Sequence, residues 1–164
     1  MRVNRYFVFG FLILLVSCNY KKANFSVKTP DGWIKIETIK NGSRHVMMRL
    51  PIIDSTPQFV ENINIAVVHS MNFDKYISAV ISEIKNTSEK FKEEGKGILE
   101  TKEFDAKWIQ FTLKPKESFE QYQQKVYFIA DGRNVFMIVC SSVPNGISAL
   151  QNKIDEVIKS FKIL

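Results

Sequence analysis

The chain has 164 residues, 45% hydrophobic and 24% charged, with 23 Lys and Arg against 17 Asp and Glu, a formal net charge of +6. That length supports one domain with a substantial core. The basic residues are scattered rather than striped and accompany no nucleic-acid motif, so they read as solvated surface near anionic lipid rather than a phosphate-binding face, and two cysteines are too few for a disulfide framework.

The N-terminus carries Arg2 and Arg5, then an apolar run from Tyr6 to Val16 without an acidic residue, the charge and length pattern of a secretory signal. A helix needs about 20 apolar residues to cross a bilayer, and Asn19, Lys21 and Lys22 interrupt this run well before that. Leu15-Val16-Ser17-Cys18 resembles the lipobox of bacterial lipoproteins. The resemblance implies a signal peptide over 1–17, cleavage before Cys18, lipid on its sulfur and new amino group, a tether over 18–24 and one globular domain over 25–164. Each buried methylene contributes about 0.8 kcal/mol, so two or three acyl chains hold such a protein on a membrane. Removing the signal leaves 21 basic residues against 17 acidic, a mild +4. No acidic residue follows Cys18 directly, as in lipoproteins that stay facing the periplasm. Cys140 ends the apolar run Val135–Val139 and reads as a small buried hydrophobe.

Phe25 and Val27 form an extended entry, and Thr29-Pro30-Asp31-Gly32-Trp33 a tight turn. Asn41-Gly42 predicts a hairpin between Trp33–Ile39 and Arg44–Leu50, closed by Pro51. Within Gln58–Val68, alternation places Ile63, Ile65 and Val67 on one face of a strand and Asn62, Asn64, Ala66 and Val68 on the other. Asn72 is the predicted N-cap of a helix whose stripe is Phe73, Ile77, Val80, Ile81, Ile84 and Phe91, fraying into Lys92-Glu93-Glu94-Gly95. Strands are then predicted over Ile98–Glu103 and Lys107–Leu113, with a turn near Phe104 and a surface connection over Lys114–Glu120. Asp131-Gly132 predicts a second tight hairpin, joining Tyr122–Ala130 to Asn134–Ser141. In these two strands both alternating faces are apolar, so both faces must be covered. After Pro144-Asn145-Gly146 a last helix presents Ile147, Leu150, Ile154, Val157, Ile158 and Phe161 on one side. The fold class expected is α+β, an α/β/α sandwich with a largely antiparallel sheet and helices covering both faces.

Pro30-Asp31-Gly32-Trp33, the Phe59–Ile65 stretch before a long helix, the central hairpins and a closing Ile158-Lys159-Ser160-Phe161 together resemble the Mog1/PsbP/DcrB-like superfamily over nearly the whole mature chain. The resemblance implies the same sandwich. It also implies a binding or accessory role, since members serve as such in photosystem assembly, Ran binding and the bacterial envelope. The matched positions serve folding, so no ligand residue carries over.

The chain has no HExxH, P-loop, GxSxG or GxGxxG motif, and Gly95-Lys96-Gly97 lacks the residues that would cradle phosphate. His45 and His69 have no second ligand at metal spacing, and Asp54, Glu61, Asp74 and Glu103 are carboxylate candidates only by elimination. Trp33 and Trp108 fit a core edge better than a cleft. Phe104, Phe119 and Tyr122, in or beside predicted loops, are the candidate partner surface. The sequence thus reads as a membrane-tethered, periplasm-facing binding or accessory lipoprotein with a protein partner and no catalytic residue, metal, cofactor or nucleic acid. The rival readings are a lipid-anchored hydrolase with spatially assembled carboxylates and an immunity-type inhibitor of a toxin.

Overall fold

The structure is a computed structural model that describes residues 23–40, 43–52, 59–70, 72–116, 118 and 120–164; Cys18, Asp54 and Phe119 lie outside the described residues. The strands are β1 (Phe25–Ser26), β2 (Ile34–Lys40), β3 (Ser43–Arg49), β4 (Asn62–His69), β5 (Ser88–Glu100), β6 (Asp105–Pro115), β7 (Tyr122–Asp131), β8 (Asn134–Ser142) and β9 (Lys162–Ile163). The helices are α1 (Phe73–Asn86) and α2 (Ile147–Ser160). Seven strands form one sheet in the order β2-β3-β4-β8-β7-β6-β5, every neighbouring pair antiparallel, and β1 pairs with β9 in a separate ribbon.

Local chemistry accounts for most element ends. Asn72 caps α1 by accepting from the Lys75 N–H at 2.9 Å. The two-residue connection at Gly132 is tight, and Gly132 takes φ +58, a conformation open to glycine. The sequence expectation fails at the end of α1. That helix stops at Asn86 and does not run to Phe91, because Thr87 and Ser88 turn their hydroxyls onto the last carbonyls, of Glu83 at 2.8 Å and Ile84 at 2.6 Å. Ser88 to Glu100 is instead a 13-residue strand. Phe91 still reaches the core touched by α1, but from the sheet, with its ring centroid 5.1 Å from that of Phe111. The following turn is Thr101–Phe104, where the Thr101 hydroxyl accepts from the Phe104 N–H at 2.9 Å, so β6 begins at Asp105.

The chain leaves β4 in the middle of the sheet and re-enters at the far edge in β5, with α1 between them. Val80 and Ile84 of α1 share a core with Val68, Ile109, Phe111, Val126, Phe128, Val135, Met137 and Val139. Ile147, Ile154, Val157 and Ile158 of α2 share another with Ile63, Ile65, Val67, Tyr127, Ile129, Phe136, Ile138 and Cys140. Alternate residues of β7 and β8 thus enter two different cores.

The two helices among the described residues are too short, however, to cover both faces of the whole sheet. Each has 14 residues, about 21 Å of helix, against about 29 Å across seven strands. Coverage stops short of the edges, and β2 is exposed from Ile34 to Ile39.

The two ends of the domain meet in an aromatic cluster. Phe25 stacks on Phe161 at 5.5 Å and meets Phe136 edge-on at 6.1 Å, while Arg44 lies 4.7 Å above the Phe25 ring and donates to its carbonyl. The Leu164 N–H donates to the Asn24 carbonyl at 3.0 Å.

At the start of α2, a Cβ on Gly146 would fall 2.0 Å from the Ser142 Oγ and 3.0 Å from the Val143 carbonyl. Ser142 is fully buried and cannot swing into solvent. Gly146→Ala is therefore expected to destabilise by about 1–3 kcal/mol, lowering Tm by about 2–4 °C for each kcal/mol, and Ser142→Ala in the same chain to recover part of the loss. Thermal unfolding by circular dichroism checks this. An unchanged Tm would show that α2 does not pack this closely on β8.

Candidate functional site

Alternation along two neighbouring strands builds a graded surface on the side of the sheet that packs against α2. In β6 the residues on that side are Ala106, Trp108, Gln110 and Thr112, and in β7 they are Ile129, Tyr127, Lys125 and Gln123, paired in that order across the ladder. The pairs run from apolar through aromatic to polar over about 20 Å. Both strands are apolar on their other face, at Ile109, Phe111, Val126 and Phe128.

Glu94 joins this surface through an irregularity in β5. Glu93 opposes Phe111 and Gly95 opposes Gln110, so Glu94 is the extra residue of a bulge. Its Oε1 accepts from the Thr112 hydroxyl at 2.5 Å, and its Oε2 accepts from Gln123 Nε2 at 2.5 Å and Gln110 Nε2 at 3.2 Å. Burial pushes the Glu94 carboxyl up, but these three donors and the nearby Lys92 together outweigh it and hold the group below the usual carboxylate range. Gln123, only 5% exposed, uses its other end to accept from the Ile147 N–H at 3.0 Å. The residue at the N-cap of α2, Gly146, makes no side-chain cap, so the sheet supplies one through Gln123. One amide therefore links the positive end of α2 to the Glu94 carboxylate.

Beside it lies a cation on an aromatic platform. The Trp108 indole rests on the glycine backbone of β5: a Cβ on Gly97 would come within 3.1 Å of it and one on Gly95 within 3.5 Å. The Lys125 Nζ stands 4.7 Å from the Trp108 ring and 5.5 Å from the Tyr127 ring, and donates to Gln151 Oε1 at 3.3 Å. Gln151 in turn donates to Asp155 Oδ1 at 2.7 Å. Burial pushes the Tyr127 hydroxyl far up, so it stays protonated. Cys140, opposite Lys125 on β8, is completely buried, and its thiol is pushed up to about 12 by that burial, against a smaller pull from Lys125. A thiol held protonated away from solvent is not a nucleophile. Tyr127, Gln123 and Thr112 are buried and act as supports, while Trp108, Gln110 and Lys125 are half-buried and Glu94 is exposed, so the arrangement offers an anchored carboxylate, an ammonium, an amide and one indole.

The residues singled out in the sequence do not gather into one site. Phe104 is half-buried and packs edge-on against Phe161 at 5.6 Å, completing the core of α2. Tyr122 lies on Phe59 at 4.7 Å and donates to Glu120 Oε2 at 2.9 Å. Phe104 adjoins the first residue of β6 while Tyr122 opposes Leu113 near its far end, about 27 Å away. Of the carboxylates, Asp74 is paired with Lys107 at 2.6 Å, Glu61 precedes β4 and Glu103 sits in the Thr101–Phe104 turn. His45 opposes Ala66, three residues short of His69 on β4. Among the described residues, no three His, Cys, Asp or Glu side chains converge as metal ligands. Trp33 packs against the core of α2, as does Trp108. Glu94, Gln123 and Lys125 escaped the sequence reading, the first because it was assigned to a helix end. Alternate glycines at 95 and 97 facing an aromatic partner were the available signal.

No protein-family model matches the chain, and no curated protein does. Solved structures do. LpqN of Mycobacterium tuberculosis, described as involved in cell envelope biogenesis, aligns with a TM-score of 0.64 at 11% identity, over 87% of this chain and 84% of LpqN. PA94 of Pseudomonas aeruginosa, described as a candidate regulator of unknown function, aligns with a TM-score of 0.56 at 12% identity, over 83% and 93%. Cyanobacterial PsbP (CyanoP) of Synechocystis sp. PCC 6803 aligns with a TM-score of 0.55 at 11% identity, over 90% and 98%. At such identities the likeness is one of fold: a mostly antiparallel sheet with two helices, of the PsbP type.

Proposed function

We propose that this chain is a lipid-anchored envelope protein, held to a bacterial membrane through Cys18 and facing the periplasm, whose domain binds and assists a protein partner without catalysing a reaction. The observation that carries the reading is the surface beside α2. Lys125 lies over Trp108 and next to Gln151, while Glu94 is held ionised by Thr112, Gln110 and Gln123. Ammonium, carboxylate and indole are fixed in place by neighbours, as a preorganised binding surface requires. On this reading α1 and α2 sit on opposite sides of the central strands, an α/β/α sandwich that leaves this part of the sheet open beyond α2.

The lipobox-like Leu15–Cys18 supports the address. No helix among the described residues is long and apolar enough to cross a membrane. The fold is shared with LpqN, a protein described as involved in envelope biogenesis.

Two experiments test the proposal. In a bacterium expressing the full chain, a palmitate analogue is expected to label the protein and Cys18→Ala to abolish the label and release the protein from washed membranes. Label that survives the substitution contradicts the anchor. A photo-crosslinking side chain at Gln110 is expected to give a discrete adduct in native envelopes, which Lys125→Ala weakens about fivefold, the equivalent of about 1 kcal/mol. An adduct indifferent to Lys125 contradicts the binding surface.

A further inference from the structure

The sheet has two outer edges, and they are built differently. β5 carries two register shifts, between Ser88 and Lys90 and between Glu93 and Gly95, and exposes Glu89, Lys90, Lys92, Glu93 and Lys96. Bulges of that kind blunt an edge against further pairing. β2 has no bulge, and its exposed charges, Lys35 and Glu37, are of opposite sign and pair with each other. Its seven residues pair with β3 without a shift, nothing among the described residues pairs with its other side, and Ile34, Ile36 and Ile39 are 41%, 39% and 72% exposed.

The hairpin register fixes which backbone groups are free. Just past β3 the Leu50 N–H donates to the Glu61 carbonyl at 3.4 Å, on the side of β4. By alternation Arg49, Met47 and His45 direct their N–H and C=O groups the other way, toward Ile34, Ile36 and Thr38. Those three residues of β2 therefore bond to β3, and Ile39, Glu37 and Lys35 direct their groups to the open edge.

We propose that β2 pairs with β2 of a second copy, antiparallel about a two-fold axis through Ile36, joining two sheets into one. In that register each Lys35 faces Glu37 of the other copy, each Trp33 faces Ile39, each Ile34 faces Thr38, and the two Ile36 residues face each other. The outward backbone groups of Lys35 meet those of Glu37, whereas the Trp33 N–H stays with the Pro30 carbonyl at 3.1 Å and leaves Ile39 only the Trp33 carbonyl. Charge complementarity selects the register: centring the axis on residue 35 sets Lys35 against its own copy, and centring it on 37 sets Glu37 against its own copy. Centred on Ile36, both charges find opposites, and Ile34 to Thr38 of β2 all oppose residues of the same segment in the other copy. Glu37 is already oriented for this, gripped by the Arg44 guanidinium at 2.8–3.0 Å, and Lys35 reaches it within the same strand at 2.5 Å. Pairing exchanges that contact for the equivalent one across the axis.

The test is disulfide trapping in membranes from cells that express the full chain. Ile36 is exposed, so Ile36→Cys leaves the core untouched. At the axis it forms a non-hydrogen-bonded pair, with Cα atoms about 4.5 Å apart, within disulfide reach. Under mild oxidation Ile36→Cys is expected to give covalent dimer about tenfold above Ile34→Cys or Thr38→Cys alone, while those last two crosslink with each other when co-expressed. Cys18 and Cys140 are the same in every variant, so the pattern by position is independent of them. In the Ile36→Cys chain, Lys35→Glu alone or Glu37→Lys alone is expected to suppress the dimer, and co-expression of the two to restore it. Equal trapping at 34, 36 and 38, a maximum elsewhere than 36, or failure of the charge-reversed chains to rescue each other overturns the proposal.

Discussion

Val135, Met137 and Val139 enter the core that contains α1, while Phe136, Ile138 and Cys140 enter the core that contains α2, so one nine-residue strand depends on both helices. Full burial of each such side chain contributes about 1.5–3 kcal/mol, and half of that gain is lost if either side is wetted. The topology follows from this requirement. The chain leaves β4, which adjoins β8, and returns at the far edge in β5, with α1 in the connection and in the second core. It leaves β8 itself into α2, and the aromatic cluster of Phe25, Phe136 and Phe161 then ties the beginning of the domain to its end.

The polar surface beside α2 is a consequence of how that helix begins. Gly146 is the residue that fits against Ser142, and a glycine there offers no capping side chain. Gln123 fills the role from β7 and, having a second polar end, recruits Glu94 across β6. A cap, a bulge and an anchored carboxylate thus form one connected unit. Lys125 and Trp108, one and two residue pairs further along the ladder, stack where the two glycines of β5 leave room for the indole. The same residues that cap α2 and brace β5 carry the polar groups of this face, so they follow the needs of packing and form no sequence motif.

Most of the framework was legible in the sequence because its signals are local. Asp131-Gly132 marks the β7–β8 turn, the apolar runs on either side announce double burial, and Asn72 marks the start of α1. What misled was phase. Phe91 lies seven residues after Ile84, two helical turns, yet it belongs to a strand that meets the same core from the other direction. Assigning Lys92 to Gly95 to a helix end hid the bulge at Glu94. The role of Gln123 was illegible, because a tertiary cap depends on which strand lies under the first turn of α2. Exposure of aromatics near loops was also a weak guide: Phe104 closes a core that the turn residues around it do not reveal.

Native-state amide hydrogen exchange measures the central requirement directly, because a strand covered on both sides opens only when the whole domain does. The amides of Val135–Cys140 are expected to be the slowest in the chain, with an opening free energy equal to that of global unfolding by denaturant. They are also expected to lose the same protection whether core packing is weakened on the α1 side, by Ile84→Ala, or on the α2 side, by Ile154→Ala. Exchange of these amides through local opening, or loss of protection from one side alone, would contradict a strand held jointly by two cores.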